Sequence, residues 1–313
     1  MKIFIAGATG AVGRRLIPAL IQLGHQVIGM SRSKDKMKMI RASGATPVIA
    51  DAFDAKALNN ALQETKPDVV MHQLTSIPGR LNLRNIGRDF ALTNRLRTEG
   101  TDHLLAAAKA AGVHRFIAQS FAGWPYARQG GPVKTEEAPL DPNPPKELRG
   151  MLAAIEHSEK VVLESAHLDG VVLRYGAFYG PGTSIAADGA MLEEVRRRRV
   201  PIVGRGAGIW SFVHVDDVAA ATLLAAERGR PGIYNIVDDD PAPVSDWLPA
   251  LAKAVGAPPP LRIPAFIARL AIGAHGISLM NEIRGASNAK AKRELSWKPF
   301  YPTWRSGFRE GLG

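Results

Sequence analysis

Over its first 175 residues the chain alternates two hydrophobic patterns. Short apolar runs of strand length occur at 3–6, 26–30, 46–49, 68–72, 115–118 and 170–174. Between them, apolar residues recur three and four apart, which predicts helices over 11–23, 34–43, 54–65, 88–111 and 147–167. Strand and helix alternating at this spacing imply a doubly wound α/β fold. Helices cover both faces of a parallel sheet, and the ligand lies across the C-terminal strand ends. After Arg174 the pattern changes. Turns at Gly180-Pro181-Gly182 and Gly204-Arg205-Gly206 flank a helix expected over 185–198. A strand–helix–strand unit at 209–214, 216–228 and 233–237 is expected to return to the sheet. From Pro241 onward the chain reads as a small, mainly helical lobe, broken at Pro258–Pro260.

The first apolar run enters a turn with Gly7, Gly10 and Gly13, and a helical pattern (Leu16, Ile17, Leu20, Ile21, Leu23) follows at once. Strand, glycine turn and helix in that order let the backbone approach a pyrophosphate at a helix N-terminus, where free N–H groups and the dipole favour anions. Gly7, Thr9, Gly10, Ala11, Val12 and Gly13 are therefore expected to cradle a dinucleotide. The expected division is a Rossmann domain from residues 1–174 and 209–237, with a substrate-binding lobe from 175–208 and 238–313. An acid about 20 residues beyond such glycines selects NAD through its ribose, whereas arginine there accepts a 2′-phosphate. The second strand ends in Ser31-Arg32-Ser33, and Arg14 follows the glycine turn. Both arginines favour NADP(H) over NAD(H). The alternative is a solvated loop arginine at 32, with Asp35 keeping NAD open.

Composition narrows the chemistry. The 313 residues include no cysteine, so disulfides, thiol nucleophiles and thiolate metal sites are excluded. The eight histidines are scattered without metal-ligand spacing, so no metal is expected. The first apolar run is too short for a signal peptide. No uncharged run approaches the roughly 18 residues of a membrane span, and Arg269 interrupts the best candidate. A soluble, cytoplasmic protein is expected. Net charge is +11. The run Arg196 to Arg199 and the cluster Lys290, Lys292, Arg293, Lys298 read as solvated helix surfaces. No aromatic residues interleave with the arginines, so nucleic acid is not an expected partner.

Several motifs in order resemble the extended short-chain dehydrogenase/reductase superfamily, including nucleotide-sugar epimerases and dehydratases. They are the glycine turn, Leu173-Arg174-Tyr175-Gly176-Ala177-Phe178-Tyr179-Gly180-Pro181-Gly182, Phe212-Val213-His214-Val215-Asp216-Asp217-Val218-Ala219, Tyr234-Asn235-Ile236 and Arg293-Glu294-Leu295-Ser296-Trp297-Lys298-Pro299. The resemblance puts Asp51 and Ala52 at the adenine, with a helix N-cap as the other reading of Asp51. It also puts His72, Gln73, Leu74 and Tyr175 near the cofactor, and Phe121, Tyr179 and Trp210 near the substrate. It gives His214, Asp216 and Asp217 a structural role and implies a possible homodimer.

The same resemblance exposes what is missing. The family moves a proton with a Tyr-x-x-x-Lys pair beside the hydride transfer. Here Met151 and Ile155 stand at those positions. Arg97 stands where the family has an asparagine. Ala177 and Trp210 replace the asparagine and arginine that grip a sugar-nucleotide diphosphate. Ser120 remains as a group to orient a carbonyl, and Tyr126 as a tentative proton donor, with wall packing as the other reading of each. The expected function is NADPH-dependent reduction of a small, largely apolar carbonyl or related compound. The alternatives are a nucleotide-sugar epimerase or dehydratase and a non-catalytic NADP(H)-binding redox sensor.

Overall fold

The computed structural model describes residues 1–82 and 85–313. Seven strands make one parallel sheet: β1 (Lys2–Ala6), β2 (Gln26–Ser31), β3 (Thr46–Ile49), β4 (Val69–His72), β5 (Arg115–Phe121), β6 (Asp169–Tyr175) and β7 (Gly232–Ile236). Their order is β7-β6-β5-β4-β1-β2-β3. The chain winds outward in both directions from β1 and β4, so a crevice opens at their C-terminal ends. Ala6 pairs with Met30 on one side and His72 on the other, which brings the ends of β1, β2 and β4 level.

Alternation along β1 builds a core on each face. Ile3 and Ile5 pack with Leu16 and Leu20 of the helix Gly13–Gln22, while Phe4 and Ala6 pack with Leu58, Leu62 and Leu104 on the other side. A parallel sheet buried on both faces needs such continuous apolar strands.

Three elements differ from the sequence expectation. Residues 209–214 do not join the main sheet as one strand. Ile209–Trp210 pairs antiparallel with Ala242–Pro243, and Phe212–His214 pairs parallel with Ala177–Tyr179. Ser211 separates them because its carbonyl accepts from the Ala177 amide and its hydroxyl from the Ala286 amide. The helix expected over 88–111 is divided into Ile86–Asp89, Ala91–Arg95, a π turn at Leu96–Gly100, and Thr101–Ala110. The helix expected over 185–198 is shortened to Ala190–Arg196.

The remaining core lies beyond the sheet. Tyr179, Phe212, Trp247, Trp304 and Phe308 pack together, with helices Val244–Ala254 and Trp304–Glu310 around them. The helix Ala265–Asn281 bends at Gly273, whose φ is 66°. Among the described residues no helix is long and apolar enough to cross a membrane.

Candidate active site

A groove of about 220 Å³ lies over the ends of β1, β2 and β4, lined by Gly7, Thr9 and Gly10 with Arg32, Asp51, Ala52, Gln73 and Leu74. Its glycines are required by space. Gly7 has φ +102°, and a Cβ there would stand 2.6 Å from the Gln73 carbonyl oxygen. A Cβ on Gly13 would meet the Gly7 carbonyl oxygen at 2.3 Å. The helix Gly13–Gln22 begins with no side-chain cap and no acid in its first turn, so the positive end of its dipole favours an anion. Ala11 and Val12 pack into the core beneath and contribute backbone only. A cradle closed to any side chain and an uncapped helix start fit a dinucleotide.

Arg32 lies exposed along the groove, joined by Lys36. Neither has a carboxylate partner among the described residues. Lys36 escaped the sequence reading, although it stands one helical turn beyond Arg32. Arg14 is exposed outside the groove lining and faces Gly182 across the cleft. Asp51 is not the helix N-cap. Asp54 takes that role, accepting from the Ala57 amide, while Asp51 Oδ1 accepts from the Phe53 amide at 3.0 Å. Phe53, under the Arg95 guanidinium, is a further wall of the groove that the sequence did not single out.

His72 sits below the groove and does not line it. It is buried, its Nε2 donates to the Leu96 carbonyl (3.2 Å), and its Nδ1 accepts from the Leu74 amide (3.3 Å). It thus holds the loop that lines the groove. Burial pushes its pKa down to about 4 from 6.5; the Leu96 bond opposes the shift and the Arg97 charge adds to it. The unfolded chain takes up this proton near 6.5 and the folded chain only near 4. Stability present above pH 6.5 is therefore lost as pH falls toward 4, by about 3 kcal/mol at the roughly 1.4 kcal/mol carried by each unit. Urea titrations of the native protein and His72→Asn between pH 7 and pH 4 check this: the variant's stability should fall less steeply by that amount.

The register across β5, β6 and β7 puts Ser120 beside Arg174 and Arg174 beside Asn235. All three are buried. Arg174 donates to both oxygens of Glu159 (2.8 and 2.5 Å), and Ser120 Oγ donates to Glu159 Oε1 (2.6 Å). Tyr126 Oη donates to Asn235 Oδ1 (2.5 Å) and accepts from Arg174 Nη1 (3.3 Å). Glu136 completes the row by accepting from the Asn235 amide. The structure thus joins Ser120 and Tyr126 through Glu159 and Arg174. Both hydroxyls are spent inside a buried network, and burial raises the Tyr126 pKa. Tyr126→Phe is expected to cost about 1–3 kcal/mol of stability, the penalty for leaving Asn235 unpaired, with turnover within a few-fold of native. Thermal unfolding and steady-state rates check it, and a large fall in kcat at unchanged stability would restore Tyr126 as the proton donor.

Other expected site residues also prove to be core. Tyr175 is buried, its hydroxyl paired with Thr222 and Gln73, and burial raises its pKa to about 12. Tyr179 is buried among His214, Tyr301 and Phe308, away from any cleft surface. Trp210 is half-buried, stacked on Phe212 beside Trp247, with its indole N–H donated to the Leu279 carbonyl (3.0 Å). Phe121 is half-buried against Trp124. Met151 packs with Ile86, Leu148, Phe90 and Trp124, and Ile155 is fully buried. The face that would carry a tyrosine and a lysine is apolar. His214 caps the helix Val215–Arg228 by accepting from the Asp216 amide, Asp216 pairs with Arg15, and Asp217 accepts from the Phe300 and Tyr301 amides. Among the described residues no group of three metal-ligating side chains occurs.

A two-way-wound parallel sheet with a glycine cradle at its switch point defines a dinucleotide-binding enzyme fold. The chain belongs to the NAD-dependent epimerase/dehydratase family, whose model matches residues 3–237. It is 41% identical over 308 residues to a 3-diazoavenalumate denitrifying reductase of a Streptomyces species, covering 98% of this chain and 99% of that protein. It is 26% identical to the 2-alkyl-3-oxoalkanoate reductase of Stenotrophomonas maltophilia, covering 98% of this chain and 91% of that one. A UDP-glucose 4-epimerase structure from Thermotoga maritima superposes with a TM-score of 0.79 at 23% identity, covering 100% of this chain and 97% of that one. The protein is an NAD(P)-dependent oxidoreductase of the short-chain dehydrogenase/reductase type.

Proposed function

We propose that this protein is a cytoplasmic, NADPH-dependent reductase that delivers hydride to a small aromatic diazo compound and releases its nitrogen. The carrying observation is the apolar face at Met151 and Ile155. Reduction of a carbonyl needs a proton on oxygen, and the hydroxyls expected to serve it, Ser120 and Tyr126, are bonded within a buried network. Displacement of nitrogen from an arenediazonium needs none. Bound NADPH supplies a hydride that forms the C–H bond; the C–N bond breaks with its electron pair leaving on N₂, and charge balances as NADP⁺ forms. The chain's own task is to bind, orient and keep water out, which Met151, Trp124 and Phe121 suit. The name of the 41% identical relative supports this reading.

The test is turnover of a ¹⁵N-labelled arenediazonium with NADPH deuterated at C4. Expected are ¹⁵N₂ release and deuterium on the carbon that lost nitrogen, well above the protein-free rate. A second reading, reduction of a ketone with water as proton source, draws on the 26% identical relative. Deuterium delivered only to ketones, with no nitrogen release, would favour it.

The NADPH preference rests on Arg32 and Lys36. Arg32→Ala and Lys36→Ala should each weaken NADPH by about 10-fold or more, since a hydrogen bond to a charged group contributes about 1.5–3 kcal/mol. NADH affinity should not change. Fluorescence titration of both cofactors decides it, and equal weakening of the two would move the 2′-phosphate elsewhere.

A further inference from the structure

A second cavity, of about 340 Å³, opens between residues 143–149 and the helix Ala265–Asn281. It shares no lining residue with the cofactor groove. Four cations line it, Arg128, Lys146, Arg149 and Arg269, against one carboxylate, Glu282. Arg128 is already neutralised, bound to Glu282 at 2.6 Å and Asp141 at 3.1 Å. Lys146, Arg149 and Arg269 have no carboxylate partner among the described residues. Three like charges facing one hollow repel each other, and an anion between them relieves that repulsion. The helix Arg149–Leu163 also starts here, with no side-chain cap and no acid in its first turn.

The location gives this charge a use. Arg149 stands two residues before Met151 on the helix that bears the apolar face. The opposite wall is the helix whose Leu279 carbonyl holds Trp210. Both walls thus belong to elements that also carry the apolar face and support Trp210. Positions 177 and 210, which grip a diphosphate in sugar-nucleotide enzymes, carry no charge here. Asn143, Ala274, Ile277 and two prolines line the rest of the hollow, so a short arm ending in a single anionic group suits it better than a polyanion.

We propose that this cavity binds a carboxylate on the substrate, held by Arg149 and Arg269 with Lys146 beside them. The aromatic body then extends toward Met151 and Trp124. Arginine suits this role because its planar fork meets a carboxylate through two parallel hydrogen bonds. The proposal rests on the reading that the substrate is a small aromatic acceptor.

The experiment measures binding rather than turnover. Cinnamate, its neutral isostere cinnamamide, and UDP are titrated calorimetrically into the NADP⁺-loaded protein, native and Arg149→Gln/Arg269→Gln. Cinnamate is expected to bind at least about tenfold more tightly than cinnamamide, in line with a charge-assisted pair. The double variant should bring cinnamate down to the level of the amide, while cinnamamide and NADPH affinities stay as they were. Both arginines are exposed, and unchanged NADPH affinity reports an intact fold. Equal affinity of acid and amide for the native protein, no measurable cinnamate binding, or a preference that survives the double variant would overturn the proposal. So would UDP binding more tightly than cinnamate through the same arginines, which would point to a nucleotide substrate. A failed diazonium assay leaves the cinnamate result standing, so the two readings fail separately.

Discussion

Arg174→Met is expected to lower unfolding free energy by about 3–5 kcal/mol, because it strands a carboxylate that cannot reach water. Glu159 accepts two bonds from Arg174 and one from Ser120, and both members of the ion pair are buried. Burial opposes a charged Arg174, yet the adjacent Glu159 carboxylate more than offsets this and raises its pKa. Removing the arginine removes that compensation and keeps the cost. Domains of ordinary stability hold about 5–15 kcal/mol in total, so the single variant approaches the limit of folding. Arg174→Met with Glu159→Leu should recover much of the loss, since an apolar pair of similar volume replaces the buried charges. Urea denaturation of the single and double variants measures both. If the double variant were no more stable than the single one, the loss would come from packing and not from the stranded charge.

The second large effect is on cofactor affinity. Gly13→Ala places a methyl 2.3 Å from the Gly7 carbonyl oxygen and 2.8 Å from the Ala8 backbone. Backbone cannot swing aside as a flexible side chain can, so the whole turn must open. Strain of about 1–3 kcal/mol at such a site, at about 1.4 kcal/mol per decade, predicts NADPH affinity reduced roughly 5- to 140-fold. Gly24→Ala is a useful contrast, with nothing within 4 Å of the added carbon. Its φ of +80° taxes folding but leaves the cradle alone. Equal loss of NADPH binding in both variants would mean that general destabilisation, and not the cradle, sets affinity.

The winding of the sheet was legible because its signals are local. A strand, a glycine turn and a helix follow one another in the first 23 residues, and each later strand is announced by its own apolar run. The cofactor groove inherits that legibility, since Gly7, Arg32 and Asp51 are fixed by the ends of consecutive strands. The substrate end was harder to read. Whether Tyr126 or Tyr179 faces a cleft depends on contacts with residues 235 and 308, more than a hundred positions away, and a tyrosine looks the same in sequence either way. Ser120 is ambiguous in sequence for the same reason, because its acceptor Glu159 lies on a distant helix. The split at Ser211 was invisible because 209–213 is apolar apart from that one serine. The absent tyrosine and lysine, by contrast, were visible from the start. Met151 and Ile155 need no tertiary context to be recognised as unable to carry a proton.

The row Ser120, Arg174, Asn235 also bears on how this enzyme can be recombined. Three neighbouring strands each contribute one polar member, and loops supply Tyr126 and Glu136 to close the set. A chimera that imports β7 alone, with an aliphatic residue at 235, would keep every main-chain ladder and still remove the acceptor of the Tyr126 hydroxyl proton. The unit to exchange in a chimera is therefore the block from β5 to β7 together with the segment that carries residue 126.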